Sequence, residues 1–358
     1  MAGSARHCSF LFPGELGTRT GGYTYDRRII AGLRARGWTV QAQSLGPGFP
    51  SPDAAALTQA RRVVEALPDG TLAVVDGLAF GVLGELAHAH AARLRWVALV
   101  HHPLALESGL DDAQRQALHA SERQSLQAAR RVVVTSPFTA RNLVAEFGVP
   151  SSRIRVVEPG TEPAPLARGS AAGEGLNLLC VATVTPRKGH ALLAEALSTL
   201  KGRPWTLHCA GSLVMDPDCT RELSQALQRH GLGERVVLHG EQDEAGLQRL
   251  YAAADAFVLP SFHEGYGMAL AEALAHGLPV LSTRAGAIAD TVPADAGELV
   301  PPGDVPALRA ALQRLMDDAA WREGLRQGAL RARASLPDWD TSSARFAHAL
   351  AGTNDTGA

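Results

Sequence analysis

Along the chain, short apolar runs alternate with stretches whose apolar residues recur at helical spacing. The runs Cys8–Phe12, Thr39–Ser44, Leu72–Asp76, Arg95–His101, Arg131–Ser136 and Arg155–Glu158 read as strands. Between them Tyr25–Arg36, Asp53–Leu67, Ala113–Ala128 and Pro137–Phe147 carry the helical period. Such alternation predicts a parallel sheet covered by helices on both faces. The segment Glu162–Gly175, rich in proline, glycine and small residues, reads as a linker. The alternation then restarts with strands Leu176–Ala182, Thr206–Ala210, Val236–Gly240, Ala256–Pro260 and Pro279–Ser282. Helices Ala191–Leu200, Asp218–His230, Ala245–Ala253, Met268–Ala275 and Val305–Met316 separate or follow them, and Trp339–Leu350 predicts one last helix.

The fold class is therefore α/β, with two consecutive doubly wound parallel-sheet, Rossmann-like domains. The expected boundaries are 1–164 and 165–337. Residues 338–358 are expected to form a helix that packs back on the first domain, followed by a short flexible tail. Ligands of such sheets bind beyond the carboxyl ends of the strands, so the cleft facing both domains is the default site. No solenoid period stands out.

Composition narrows the classes. The 358 residues include 34 Lys+Arg and 36 Asp+Glu, a net charge of −2, which argues against nucleic acid as a partner. No apolar run approaches a membrane span, and Met1–Phe12 is too short for a signal peptide. The arginines near the first long helix (Arg27, Arg28, Arg34, Arg36) make no clean basic face, so membrane association is not indicated. Cys8, Cys180, Cys209 and Cys219 show no metal or redox spacing. They read as small buried residues of a protein from a reducing cytoplasm. Only Lys188 and Lys201 are lysine among the 34 basic residues, which makes a retained lysine informative.

The richest string is Ser261-Phe-His-Glu-Gly-Tyr-Gly-Met-Ala-Leu-Ala-Glu-Ala-Leu-Ala-His-Gly277. A strand end, a glycine-bearing loop and a helix start near Gly267 and Met268 make an anion site. Gly265 and Gly267 allow close approach of a phosphate to the backbone. Glu264 and Glu272 flank that site and can grip hydroxyls on either side of a diphosphate.

This string resembles the signature of the retaining glycosyltransferases of family four, which have the GT-B fold. The resemblance implies that Glu264 contacts a donor sugar, that Glu272 contacts the nucleotide ribose, and that the backbone of Tyr266, Gly267 and Met268 meets the diphosphate. Cys180-Val-Ala-Thr-Val-Thr-Pro-Arg-Lys-Gly-His190 is similar to the family's diphosphate segment, with Lys188 in place of its lysine. The family's arginine is absent here, where Ala182 and Thr183 stand. Arg187 is the candidate replacement, its direction open. Thr20-Gly-Gly-Tyr-Thr-Tyr-Asp-Arg-Arg-Ile-Ile30, with Gly21 and Gly22, resembles the family's N-terminal glycine loop.

Two histidines, His101 and His102, end a predicted strand, and the resemblance places His101 beside the sugar, with His102 the alternative. Ser136, Gly160 and Thr183 are expected to line the cleft. A zinc set from His88, His90, His101 and His102 matches no ligand pattern, so no metal and no cofactor are expected. The implied reaction moves a sugar from a nucleoside-diphosphate sugar to an acceptor hydroxyl with retention and without a metal. Glu264, His101 and Lys188 are its catalytic candidates. A glycan, a lipid and a small metabolite such as a pterin are all open as acceptors. A sugar-nucleotide epimerase or hydrolase of the same fold, and a non-catalytic nucleotide-sugar binding protein, are the alternatives.

Overall fold

The computed structural model describes residues 6–107, 109–171 and 175–352. The expected tail at 353–358 lies outside them. The chain divides into two compact units, one running to Gly160 and resuming at Pro337, the other spanning Thr161–Leu336.

The first unit is a six-stranded parallel sheet. Its elements are β1 (His7–Phe12), α1 (Gly21–Ala35), β2 (Thr39–Ser44), α2 (Ala54–Glu65), β3 (Leu72–Asp76), α3 (Gly77–Phe80) and α4 (Gly84–Ala89). Then come β4 (Arg95–Val100), α5 (Asp112–Ala128), β5 (Arg131–Val134), α6 (Pro137–Phe147) and β6 (Ile154–Val156). The strand order is β2-β1-β3-β4-β5-β6. Alternate residues face opposite sides of each strand, so the sheet carries two apolar layers. Leu11, Val75, Trp96, Val132 and Phe147 belong to one layer. Phe10, Tyr25, Leu99, Val133 and Phe346 belong to the other. Phe346 comes from the last helix, Trp339–Ala351, which packs along α1.

Local chemistry sets the element ends. Asp53 and Asp111 cap α2 and α5 by accepting from backbone N–H groups, the second in a reciprocal capping box with Gln114. α1 starts at Gly21, four residues before the periodic run that predicted it. The short helices α3 and α4 have no counterpart in the apolar pattern. Asp76 creates the first of them, its carboxylate accepting from Leu78 N–H at 2.7 Å.

The second unit holds β7 (Leu176–Val181), α7 (His190–Ser198), β8 (Trp205–Ala210), α8 (Pro217–Arg229), β9 (Val236–Gly240), α9 (Glu244–Ala253) and β10 (Ala256–Leu259). It continues with α10 (Met268–Ala275), β11 (Val280–Thr283), α11 (Ile288–Thr291), β12 (Gly297–Val300), α12 (Val305–Asp317) and α13 (Ala319–Arg333). Neither β12 nor α13 was legible as a period. The strand is four residues long, and the helix is announced chiefly by its cap Asp318. The order β12-β11-β10-β7-β8-β9 reverses direction between β7 and β10. That reversal opens a crevice at the carboxyl ends of those two strands, the binding point of doubly wound sheets.

The segment read as a linker is tied down at several points. Ala167 N–H donates to His276 C=O at 2.8 Å and Arg168 N–H to Ala252 C=O at 2.8 Å. Ser170 N–H donates to the Asp255 carboxylate. Residues 172–174 of that expected linker lie outside the described residues. Among the described residues, no helix is long and apolar enough to cross a membrane.

Candidate functional site

At the β7/β10 crevice two loops meet. After β7 the chain makes a tight 3-10 turn, Pro186–Lys188, closed by Gly189. Lys188 thus sits in a turn just ahead of α7, and its turn packs on the chain leaving β10: Phe262 N–H donates to Arg187 C=O at 2.7 Å.

Glu264 is the centre of this arrangement. It is 6% exposed. Its Oε1 accepts from Lys188 Nζ at 2.6 Å and from Ser261 Oγ at 2.7 Å. The Arg187 guanidinium lies 3.8 Å from Oε2 and donates to His263 C=O at 2.7 Å. The direction of Arg187 is therefore into the glutamate loop. Burial pushes the Glu264 carboxyl upward, but Lys188, Arg187 and the Ser261 hydroxyl outweigh it and hold the group below its ordinary value. The site keeps a buried, ionised carboxylate with two cations beside it.

Gly267 precedes α10 at φ 91°, a left-handed turn suited to glycine, and no side chain caps the helix start. Gly265, Tyr266, Gly267 and Met268 thus form the loop and first turn of α10. One turn in, Glu272 accepts from the Tyr251 hydroxyl at 3.0 Å. Burial raises the Glu272 carboxyl, and the Tyr251 hydrogen bond partly offsets this. The Tyr251 ring stacks on His276 at 4.5 Å.

The sequence did not disclose the brace beneath this loop. Ala287 N–H donates to Glu264 C=O at 2.8 Å, and Thr291 Oγ1 donates to Tyr266 C=O at 2.6 Å. Gly286, at φ 61°, lies so close that a Cβ there would fall 2.3 Å from Glu264 O. Gly286, Ala287 and Thr291 are ordinary residue types in isolation. Only the order of β10 beside β11 brings them to the motif.

The first unit gathers a different group. His101 follows β4 and points Nε2 at two carboxylates, 3.2 Å from Asp76 Oδ2 and 3.5 Å from Asp26 Oδ1. Asp26 lies on α1 and is 0% exposed. Burial would lower His101, but hydrogen bonds and charge from Asp26 and Asp76 raise it to about 10. Burial also lifts Asp26 to about 7. The Tyr25 ring meets His101 edge-on at 5.3 Å, and a Cβ on Gly22 would touch the His101 ring at 3.4 Å. Gly21 and Gly22 open α1 over this ring. His102 turns instead to the Glu107 carboxylate.

Several expected positions fall elsewhere. Ser136 is wholly buried, its hydroxyl accepting from Thr139 N–H as the cap of α6, so it lines no open surface. A Cβ on Gly160 would lie 2.4 Å from Trp339 N, so that glycine accommodates the last helix. Thr183 is partly buried in the loop after β7. His90 accepts from Arg93 Nε at 2.8 Å. Cys219 is partly exposed, unlike the other three cysteines.

Comparison with known proteins agrees with the two-sheet architecture. The profile described as Glycosyltransferase Family 4 matches residues 21–164. The profile described as Glycosyl transferases group 1 matches residues 175–318. A D-inositol 3-phosphate glycosyltransferase of Acidothermus cellulolyticus is 31% identical over 281 residues, covering 70% of this chain and 61% of that protein. The O-antigen chain mannosyltransferase B of Escherichia coli is 28% identical over 220 residues, covering 58% and 56%. The chain thus spans less than two thirds of these relatives' own lengths. Sucrose-phosphate synthase from Thermosynechococcus elongatus superposes with a TM-score of 0.79 at 23% identity, over 95% of this chain and 98% of that one. Anabaena HepE in complex with UDP-glucose superposes with a TM-score of 0.75 at 18% identity, over 97% and 100%. With a GT-B architecture and family profiles matched in both halves, the chain belongs to the group 1, family four glycosyltransferases.

Proposed function

We propose that this protein transfers a glycosyl group from a nucleoside-diphosphate sugar to an acceptor hydroxyl, with retention of configuration and without a metal ion. The observation that carries the reading is the buried Glu264 carboxylate, paired with Lys188 and Arg187 beside the uncapped start of α10. In this reading Glu264 orients the donor sugar. Lys188, Arg187 and the backbone from Gly265 to Met268 take up the charge that builds on the departing diphosphate. Glu272, held by Tyr251, takes the ribose hydroxyls. Gly21 and Gly22 are assigned to the donor phosphate, and charged His101 to the sugar. The departing phosphate oxygen receives the acceptor proton as the new glycosidic bond forms on the same face, so no covalent nucleophile is required. The relatives' names point to a cyclitol phosphate and a growing glycan as acceptors, and a sugar-like hydroxyl is the class proposed here.

The test is nucleoside-diphosphate release from a panel of nucleotide sugars, in chelator, with and without pools of cyclitols and oligosaccharides. Release that requires an acceptor, with an NMR-assigned product of unchanged anomeric configuration, is the expected result. Release of free sugar without any acceptor favours the hydrolase or epimerase reading. Glu264→Gln should keep the fold and lower turnover on the order of a hundredfold. Unchanged turnover at saturating donor removes Glu264 from the site.

A further inference from the structure

Behind the Lys188 turn, three soft donor groups from three elements meet inside the second unit. Cys180 is the fifth residue of β7 and Cys209 the fifth of β8, and the parallel register sets them directly opposite each other. His190, the first residue of α7, brings Nε2 to 3.6 Å from Cys180 Sγ. One donor atom from each residue lies within 4.8 Å of both others. Cys180 is 0%, Cys209 4% and His190 4% exposed. The sequence separates these residues with no ligand spacing, and the β7/β8 register together with the start of α7 assembles them.

As bare side chains they satisfy one another poorly. Thiols are weak donors and weak acceptors. His190 Nδ1 is buried without a hydrogen-bond partner, and Nε2, which faces Cys180 Sγ, is the ring nitrogen open to a ligand. The spacing has a simpler use. In a tetrahedral zinc site, Zn–N of ~2.05 Å and Zn–S of ~2.3 Å give an N···S edge of about 3.5 Å, close to the 3.6 Å seen here.

We propose that Cys180, His190 and Cys209 form a binding site for a soft divalent metal ion of the zinc class. On binding, both S–H bonds break, the two sulfur lone pairs and that of His190 Nε2 go to the metal, and two protons leave to solvent. No electron transfer is involved. The two thiolates balance the charge of the ion, and coordination at Nε2 fixes the proton on Nδ1. Three protein ligands leave a fourth position for water or a backbone carbonyl. The ion lies at the carboxyl edge of the sheet, where it ties the start of α7 to β7 and β8. This site is independent of the transferase reading.

Cobalt(II) is the probe, added to the reduced full-length protein under anaerobic conditions. One Co²⁺ per chain should bind with an intense sulfur-to-cobalt charge-transfer band, and Zn²⁺ should displace it. Cys180→Ala, Cys209→Ala and His190→Gln should each weaken binding more than ~100-fold, beyond what loss of a supporting contact costs. The Cys8→Ala/Cys219→Ala double variant leaves only the two cluster cysteines and should keep the full band. A wild type without the band overturns the proposal, as does loss of the band in that double variant. Survival of the band in Cys180→Ala or Cys209→Ala also overturns it.

Discussion

Removing the Lys188 ammonium strands a carboxylate. In the folded protein Lys188 Nζ lies 2.6 Å from Glu264 Oε1, with side-chain exposures of 17% and 8%. Stranding one member of a buried pair costs ~3–5 kcal/mol. Here Ser261 still donates to the same oxygen, Arg187 stands 3.8 Å from the other, and the lysine is partly solvated. These reduce the expected cost of Lys188→Ala to about 2–3 kcal/mol. For a unit of this size that is a Tm lowered by about 5–10 °C at pH 7.5, read by differential scanning calorimetry.

The pH dependence follows from the sign of the shift. Glu264 is held below its ordinary value, so in the wild type it adds stability above the unfolded carboxylate pKa. That stability is lost as pH falls through the lower, folded value. In Lys188→Ala the burial effect is less opposed, and the carboxyl moves upward. The deficit should be full near neutral pH and shrink as pH falls through the variant's own folded value, because the stranded carboxyl then takes up its proton. Glu264→Gln in the Lys188→Ala background should recover at least half of the loss, since no stranded charge remains. Lys201→Ala is the control: its Nζ donates to His230 C=O at an exposed site. A Lys188→Ala protein with wild-type Tm near neutral pH refutes the pairing. A deficit that Glu264→Gln does not relieve refutes its assignment to this charge.

Three further outcomes are expected. Asp26→Asn removes one carboxylate that holds His101 at about 10, so the imidazole should titrate closer to its ordinary value by NMR. The stability His101 contributes is complete below ~6.5 and is lost as pH rises through about 10, and the variant should lose part of it. An unchanged His101 titration refutes the coupling. Tyr251→Phe deletes the donor to Glu272 and, at ~1 kcal/mol, should raise the KM for donor about fivefold with kcat little changed. Equal KM values separate Glu272 from the donor. Gly286→Ala places a methyl 2.3 Å from Glu264 O at a φ of 61°, so it should lower the Tm by several degrees and depress turnover more than the sequence position suggests. A Tm equal to wild type shows that the brace yields.

The glutamate string was legible because its chemistry is contiguous: a strand end, glycines and a helix start follow one another without interruption. The same holds for the Lys188 turn, which ends a strand and opens a helix. Asp26 and Asp76 were not legible. One sits inside a helix that begins four residues ahead of its periodic run, the other looks like the polar end of a strand, and only neighbouring β3 and β4 bring Asp76 to His101. Gly286 and Thr291 escaped for the same reason, since β11 delivers them. Ser136 misled because a strand-end serine before proline has two uses. Here it caps the following helix with Pro137 as the first residue of that helix. The proline-rich segment misled by composition, since its backbone groups find partners in α9 and at the end of α10.

The first unit borrows its last helix from the far end of the chain. Phe346 and Leu350 are 0% exposed in the layer that also holds Tyr25 and Ile29. Ser342 donates to Glu158 C=O at 2.7 Å across a sequence gap of 184 residues. During synthesis the ribosome therefore delivers the first sheet long before the piece that seals it. The inner stretch 161–336 is contiguous and can finish folding while the earlier unit still waits with an apolar face uncovered. A nonsense codon or proteolytic nick after residue 336 thus damages the amino-terminal half, and chaperone capture during translation should concentrate on that half.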